Sequence, residues 1–224
     1  FRASSIQDSR AEAPAEKAEK RDTIPIARVP DVPPPSRETL DASIRKAADF
    51  LLKEQNRDGS WGNHTRTKGL NVLCPYPEGP RSFRTASTSL CVIGLLTSPL
   101  KEDPAVKASL DKALQYLLTT LPTLKRGDTR TVLGVWGHAY GLSALSRAAR
   151  NLPADAPLRE ELKKVASLQV KALDQMADVQ GGWGYYTFET FSKRPIGEPT
   201  SFLTATVLLA YKDAEQAFGL KAEP

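Results

Sequence analysis

The side chains able to do polar chemistry are few and scattered. The chain holds two histidines and two cysteines, and imidazole and thiolate are the donors that zinc prefers. His64, Cys74, Cys91 and His138 nevertheless match no metal spacing, and the cysteines stand too far apart for a Cys-x-x-Cys site. The expectation is no metal and no cofactor. His64 then sits in a solvated loop, His138 bonds locally near a helix start, and the two thiols are either free or paired with each other. Carboxylates that share acid–base work need a placed partner, and Asp58, Glu189 and Glu198 stand singly in the sequence. There is no Gly-x-Ser-x-Gly elbow, Walker loop or His-Glu-x-x-His run. These residues lean against an enzyme and identify no catalytic group.

Aromatic residues are better organised. Trp136, His138 and Tyr140 form one cluster, and Trp183, Tyr185, Tyr186 and Phe188 form another. An apolar concavity carrying a few polar groups suits an elongated apolar molecule or a segment of a protein partner. The residues expected to line it are Trp136, His138, Tyr140, Tyr185, Tyr186 and Glu198. For Trp61 and Trp183 the favoured reading is a different one, a wedge between helices.

Composition narrows the classes further. The net charge of +5 comes from lysines and arginines interleaved with acids, and neither a basic stripe nor a nucleic-acid-binding motif is present. No apolar run reaches the roughly 18 residues that a membrane-spanning helix needs. The polar, Ala/Glu/Lys-rich opening suits an exported bacterial protein, secreted or periplasmic, with the cytoplasm as the alternative.

The elements that must position these groups follow from periodicity. Residues 1–37 show almost no apolar pattern and end in Val32-Pro33-Pro34-Pro35, which reads as a flexible Pro-rich tail. Residues 38–224 read as one helical domain. A first helix is capped by Ser36 or Thr39 and runs to about Gln55; a second is expected from Phe83 to Leu96, after a long loop through Cys74-Pro75-Tyr76-Pro77 that would cross one end of the helices. Further helices open at Pro104, Val132, Pro157 and Thr200. The first, third and fifth carry one apolar stripe and a charged face, whereas the second, fourth and sixth are rich in small residues and apolar nearly all round. The latter must be buried on both sides. The expected fold is all-α, with about three helical hairpins forming part of an α/α barrel or toroid.

A repeat supports the hairpin reading. Asp58-Gly59-Ser60-Trp61-Gly62 precedes the apolar segment at Thr85, and Gln180-Gly181-Gly182-Trp183-Gly184 precedes the one at Thr200. With Gln55, the first copy resembles the Gln-x-x-Asp-Gly-Ser-Trp-Gly motif of squalene and oxidosqualene cyclases, shared more loosely by protein prenyltransferases. The resemblance implies a structural role for Gln55, Asp58, Gly59, Trp61, Gly62 and Trp183: the glutamine caps a following helix start, lies near the tryptophan and ties adjacent hairpins together. The second copy departs from the motif, with Ala177 in the place of the glutamine and Gln180 in that of the aspartate. The Asp-x-Asp-Asp acid of the cyclases, the Asp-x-Cys zinc ligands of the prenyltransferases and the Gly-Cys-Gly-Glu-Gln thioester of related complement domains are all missing. The resemblance therefore implies a non-catalytic relative that binds an apolar small molecule or a protein. An isoprenoid enzyme completed by another chain and a carbohydrate-active α/α domain are the alternatives, and the unpaired flanks of a three-hairpin arc leave room for a homo-oligomer.

Overall fold

The computed structural model describes residues 33–63, 78–125, 134–179, 181–184 and 199–222. Among these the protein is all-helical: α1 Arg37–Glu54, α2 Glu78–Thr97, α3 Pro104–Thr120, α4 Gly134–Arg150, α5 Pro157–Met176 and α6 Ser201–Phe218, with a 3-10 turn at Leu121–Thr123 after α3. The chain divides between Pro35 and Ser36, just before the first helix. None of the described helices is long and apolar enough to cross a membrane.

Local chemistry sets the helix ends. The Ser36 hydroxyl accepts from the Thr39 amide at 3.2 Å, and Asp103 accepts from the Ala105 amide at 2.9 Å while Pro104 takes the first position of α3. Gly219 stops α6 in the left-handed conformation at φ 69°, its N–H donating to the Glu215 carbonyl. One expected boundary moves. α2 begins at Glu78, well upstream of Phe83, because Pro80 is harmless in a first turn whose amides have no helical partner anyway.

α4 is the centre of the packing. It lies between α2 and α6, contacts α5 as well, and buries 13 of its 17 residues. α3 touches α1, α2 and α5. Close approach to α4 is possible because of two glycines. A Cβ on Gly137 would sit 2.9 Å from Leu124 Cδ1 and 3.2 Å from the Ser82 carbonyl oxygen, and one on Gly141 would collide with the Leu121 methyls. Leu142, Leu145, Leu162, Leu173 and Leu203 are fully buried around this helix, each contributing about 1.5–3 kcal/mol.

The expectation that the second, fourth and sixth helices are all buried on both sides needs correcting. It holds for α4 alone. Leu90 on α2 and Phe202, Leu208 and Leu209 on α6 are exposed, because α2 and α6 each have α4 on one side and, among the described elements, no comparable neighbour on the other. α1 is still more peripheral and buries Ala48 only.

Charge fastens the far end of α4. Asp213, buried on α6, accepts from Arg147 at 2.9 Å and Arg150 at 3.0 Å. Arg159 of α5 donates to the Ala149 and Ala217 carbonyls, in the last turns of α4 and α6. Those carbonyls carry the negative end of the helix dipole and have no helical donor of their own.

Candidate functional site

Two glycine-tryptophan corners frame the site. After α1, the Asn56 amide donates to Ser60 O and the Gly59 amide to Asn56 O; after α5, Asp178 and Gly182, then Gly181 and Asp178, make the same two bonds. Trp61 Nε1 donates to Leu51 O at 2.7 Å and Trp183 Nε1 to Leu173 O at 2.8 Å. The Trp61 amide donates to Thr88 Oγ1 at 2.9 Å, and the Trp183 amide to Thr204 Oγ1 at 3.1 Å. Each indole is buried and reaches one helix with its ring nitrogen and another with its backbone. Trp61 and Trp183 are therefore wedges, with their polar atoms satisfied.

The corners differ where their sequences differ. Gln55 Nε2 donates to Gly59 O and Ser109 O, both at 2.9 Å, and its Oε1 accepts from Ser109 Oγ at 2.9 Å. The tie thus runs to the second turn of α3, not to a helix start. Ala177 has no side-chain amide to repeat it. Gly59 holds φ 87° and lies so close to α3 that a Cβ there would strike the Lys112 carbonyl. Gly62, at φ 90°, closes the corner. Asp58 accepts from the Ser60 amide and hydroxyl and from both contacts of Arg84 Nη2, at 3.0 and 2.8 Å. Partial burial works to raise the Asp58 pKa, but the Ser60 bonds and the Arg84 charge outweigh it and hold the carboxyl below its usual range. That carboxylate is committed to the corner.

A different surface carries a group of stacked aromatics. On α4, residues 136, 140, 143 and 147 recur at helical spacing and share one side of the helix. Trp136 and Tyr140 stack there, ring centroids 5.2 Å apart and 9° from parallel, and Phe202 of α6 stacks on Trp136 at 6.0 Å and 20°. Three nearly parallel rings from two helices form one wall, with Trp136 and Tyr140 half-buried and Phe202 half-exposed. Phe202 was not among the residues expected from sequence. Its signal was available in the position it takes, at the opening of an apolar helix.

His138 does not join that wall. It is buried on the other side of α4, its Nδ1 2.7 Å from Gln169 Oε1 of α5, while Gln169 Nε2 points to the Val165 carbonyl. The glutamine oxygen can only accept, so in this arrangement Nδ1 carries the proton. Burial depresses the His138 pKa, and the pull of Gln169 and of the Lys125 backbone towards the charged form does not overcome it. The imidazole is a neutral strut between α4 and α5. Tyr185, Tyr186 and Glu198 lie outside the described residues, as do His64, Cys74, Phe188, Gln180 and Glu189.

An open bowl of about 630 Å³ lies beside the first corner, between Phe50, Leu51, Trp61, Arg84, Ser87 and Cys91. Its polar groups are mostly engaged: Arg84 grips Asp58 and lies 5.6 Å over the Tyr116 ring. Cys91 is a free thiol whose pKa burial pushes up to about 11, so it stays protonated near neutrality and is a poor nucleophile. Among the described residues no three His, Cys, Asp or Glu side chains converge as metal ligands. The chain matches no protein-family model, and no solved structure matches it.

Proposed function

We propose that this chain is a non-catalytic binding domain in which α1–α2, α3–α4 and α5–α6 are three helical hairpins of an α/α arc, resembling the repeats of squalene cyclases and prenyltransferases. Its ligand is an elongated apolar small molecule laid along the Trp136–Tyr140–Phe202 wall. One observation carries the reading: Trp136 and Tyr140 of α4 stack with Phe202 of α6 in one partly exposed aromatic wall, while the groups able to do proton or thiol chemistry are turned away from it. His138 is sealed against Gln169, Asp58 is locked in its corner and Cys91 is held as a neutral thiol. The paired corners support the hairpin assignment, since each ties its helix to the next element through the same indole and threonine bonds.

Titration calorimetry with farnesol, geranylgeraniol and an apolar peptide tests the reading. Ring stacking adds about 0.5–1.5 kcal/mol beyond area burial, so Tyr140→Ala should weaken isoprenoid-alcohol binding by up to about tenfold while leaving the fold intact. Heat with the peptide alone would move the assignment to a protein partner. No heat with any of the three ends it.

A further inference from the structure

The two corners also fix an equivalence between α2 and α6, because Thr88 and Thr204 accept from the tryptophan amide in the same way. In that register Thr85 and Ala86 correspond to Ser201 and Phe202, Ser89 to Ala205, and Val92 and Ile93 to Leu208 and Leu209. The α2 members of this stripe are buried or half-buried on the side where the Ser82 backbone meets Gly137 of α4. Their α6 counterparts are all exposed, Phe202 at 51%, Leu208 at 55% and Leu209 at 62%. α6 thus repeats the face by which α2 receives α4; Phe202 at its start stacks on Trp136, while Leu208 and Leu209 further along stay exposed.

The opposite edge shows the converse. Leu203, Val207 and Ala210 are fully buried on the side of α6 that Asp213 holds to α4. Their equivalents on α2 are Ser87, Cys91 and Gly94, which are half-buried or exposed, and a Cβ on Gly94 would meet no atom within 4 Å. Beside them α1 and α2 leave a groove of about 310 Å³ between Ile44, Ala47, Ala48, Leu51, Gly94 and Leu95. Large apolar side chains project from one end of the row, and at the other Ala47, Ala48 and Gly94 open a groove whose walls include Ile44, Leu51 and Leu95. Within the chain α4 already packs between α2 and α6, with Gly137 making room for the Ser82 backbone of α2.

We propose that a second copy of this chain continues the row: α6 of one copy docks head to tail on the α1–α2 edge of the next, its Leu208 and Leu209 entering the groove beside Gly94. The contact continues the α2–α4 interface from one molecule to another and does not depend on the ligand reading above. Because the two surfaces differ, the contact is heterologous, and each copy keeps one free edge of each kind until a ring closes.

Sedimentation velocity from low micromolar to several hundred micromolar tests this. The wild-type mass should rise with concentration. Leu208→Lys and Gly94→Lys place an ammonium in opposite edges, and each should weaken association by about a hundredfold while circular dichroism stays unchanged; Leu209→Lys and Thr97→Lys replace them should either fail to fold. Each variant keeps one intact edge, so an equimolar mixture of the two should recover a dimer and nothing larger. A wild type that stays monomeric throughout, association that survives Gly94→Lys, or a mixture that forms no dimer would each overturn the proposal.

Discussion

Replacing Thr88 by valine keeps the shape of the side chain and removes its hydroxyl. In the folded protein that oxygen accepts from the Trp61 amide at 2.9 Å and donates to Arg84 O at 2.8 Å, in a position with no solvent exposure. Arg84 O keeps its helical role, but the Trp61 N–H is left buried without an acceptor, which costs about 1–3 kcal/mol. With an m-value of about 2 kcal/mol/M, the urea midpoint should fall by about 0.5–1.5 M at unchanged slope. Thr204→Val removes the same bond from Trp183 at 3.1 Å, but Thr204 is only half-buried, so its loss belongs at the lower end of that range. Thr206→Val is the control: its hydroxyl bonds only the Phe202 carbonyl one turn back, and it should move the midpoint little. The assay is urea unfolding followed by tryptophan fluorescence and circular dichroism together. If Thr88→Val stays within about 0.3 kcal/mol of wild type, the threonine is no clamp, and the equivalence of the two corners loses its physical basis.

Further outcomes follow from single contacts. Gly141→Ala should destabilise by about 1–3 kcal/mol because its methyl meets Leu121, whereas Gly94→Ala, facing open space inside a helix, should stabilise by about 0.5–1 kcal/mol; thermal melts of the pair separate the two. Asp213→Ala removes the carboxylate shared by Arg147 and Arg150 and should cost about 1.5–3 kcal/mol, read as a lower urea midpoint. His138 gives a pH signature. Its folded pKa is depressed by burial, so the unfolded chain, with histidine near 6.5, binds the proton first. Stability should be full above about pH 7 and decline as the pH falls below about 6.5, and His138→Gln should flatten that decline in urea midpoints taken from neutral to mildly acidic pH.

Periodicity was enough to find the helices, since burying a stripe at three-and-four spacing is a local demand that the sequence writes directly. It reached the corners too, because a glycine forced to positive φ beside a tryptophan leaves a short, distinctive string. It reached less far where the deciding partner is remote. Gln55 carries no mark of its bond to Ser109, which depends on where α3 docks. His138 and Tyr140 stand two positions apart, and sequence proximity grouped them, yet that spacing puts them on opposite sides of a helix; only the placement of α5 and its Gln169 shows which side is buried. The exposure of Leu208 and Leu209 was equally hidden. An all-round apolar helix reads as buried on both sides, and the number of neighbours it has is a property of the whole packing.

The most direct test of the ligand wall is a nitrogen-edited NMR titration with farnesol, following the three indole N–H signals. The account predicts that the Trp136 signal shifts with added ligand while the Trp61 and Trp183 signals, whose protons are bonded to Leu51 O and Leu173 O, stay in place, and that Tyr140→Ala suppresses the shift. Shifts confined to Trp61 or Trp183, or a Trp136 signal that ignores the ligand at saturation, would contradict it.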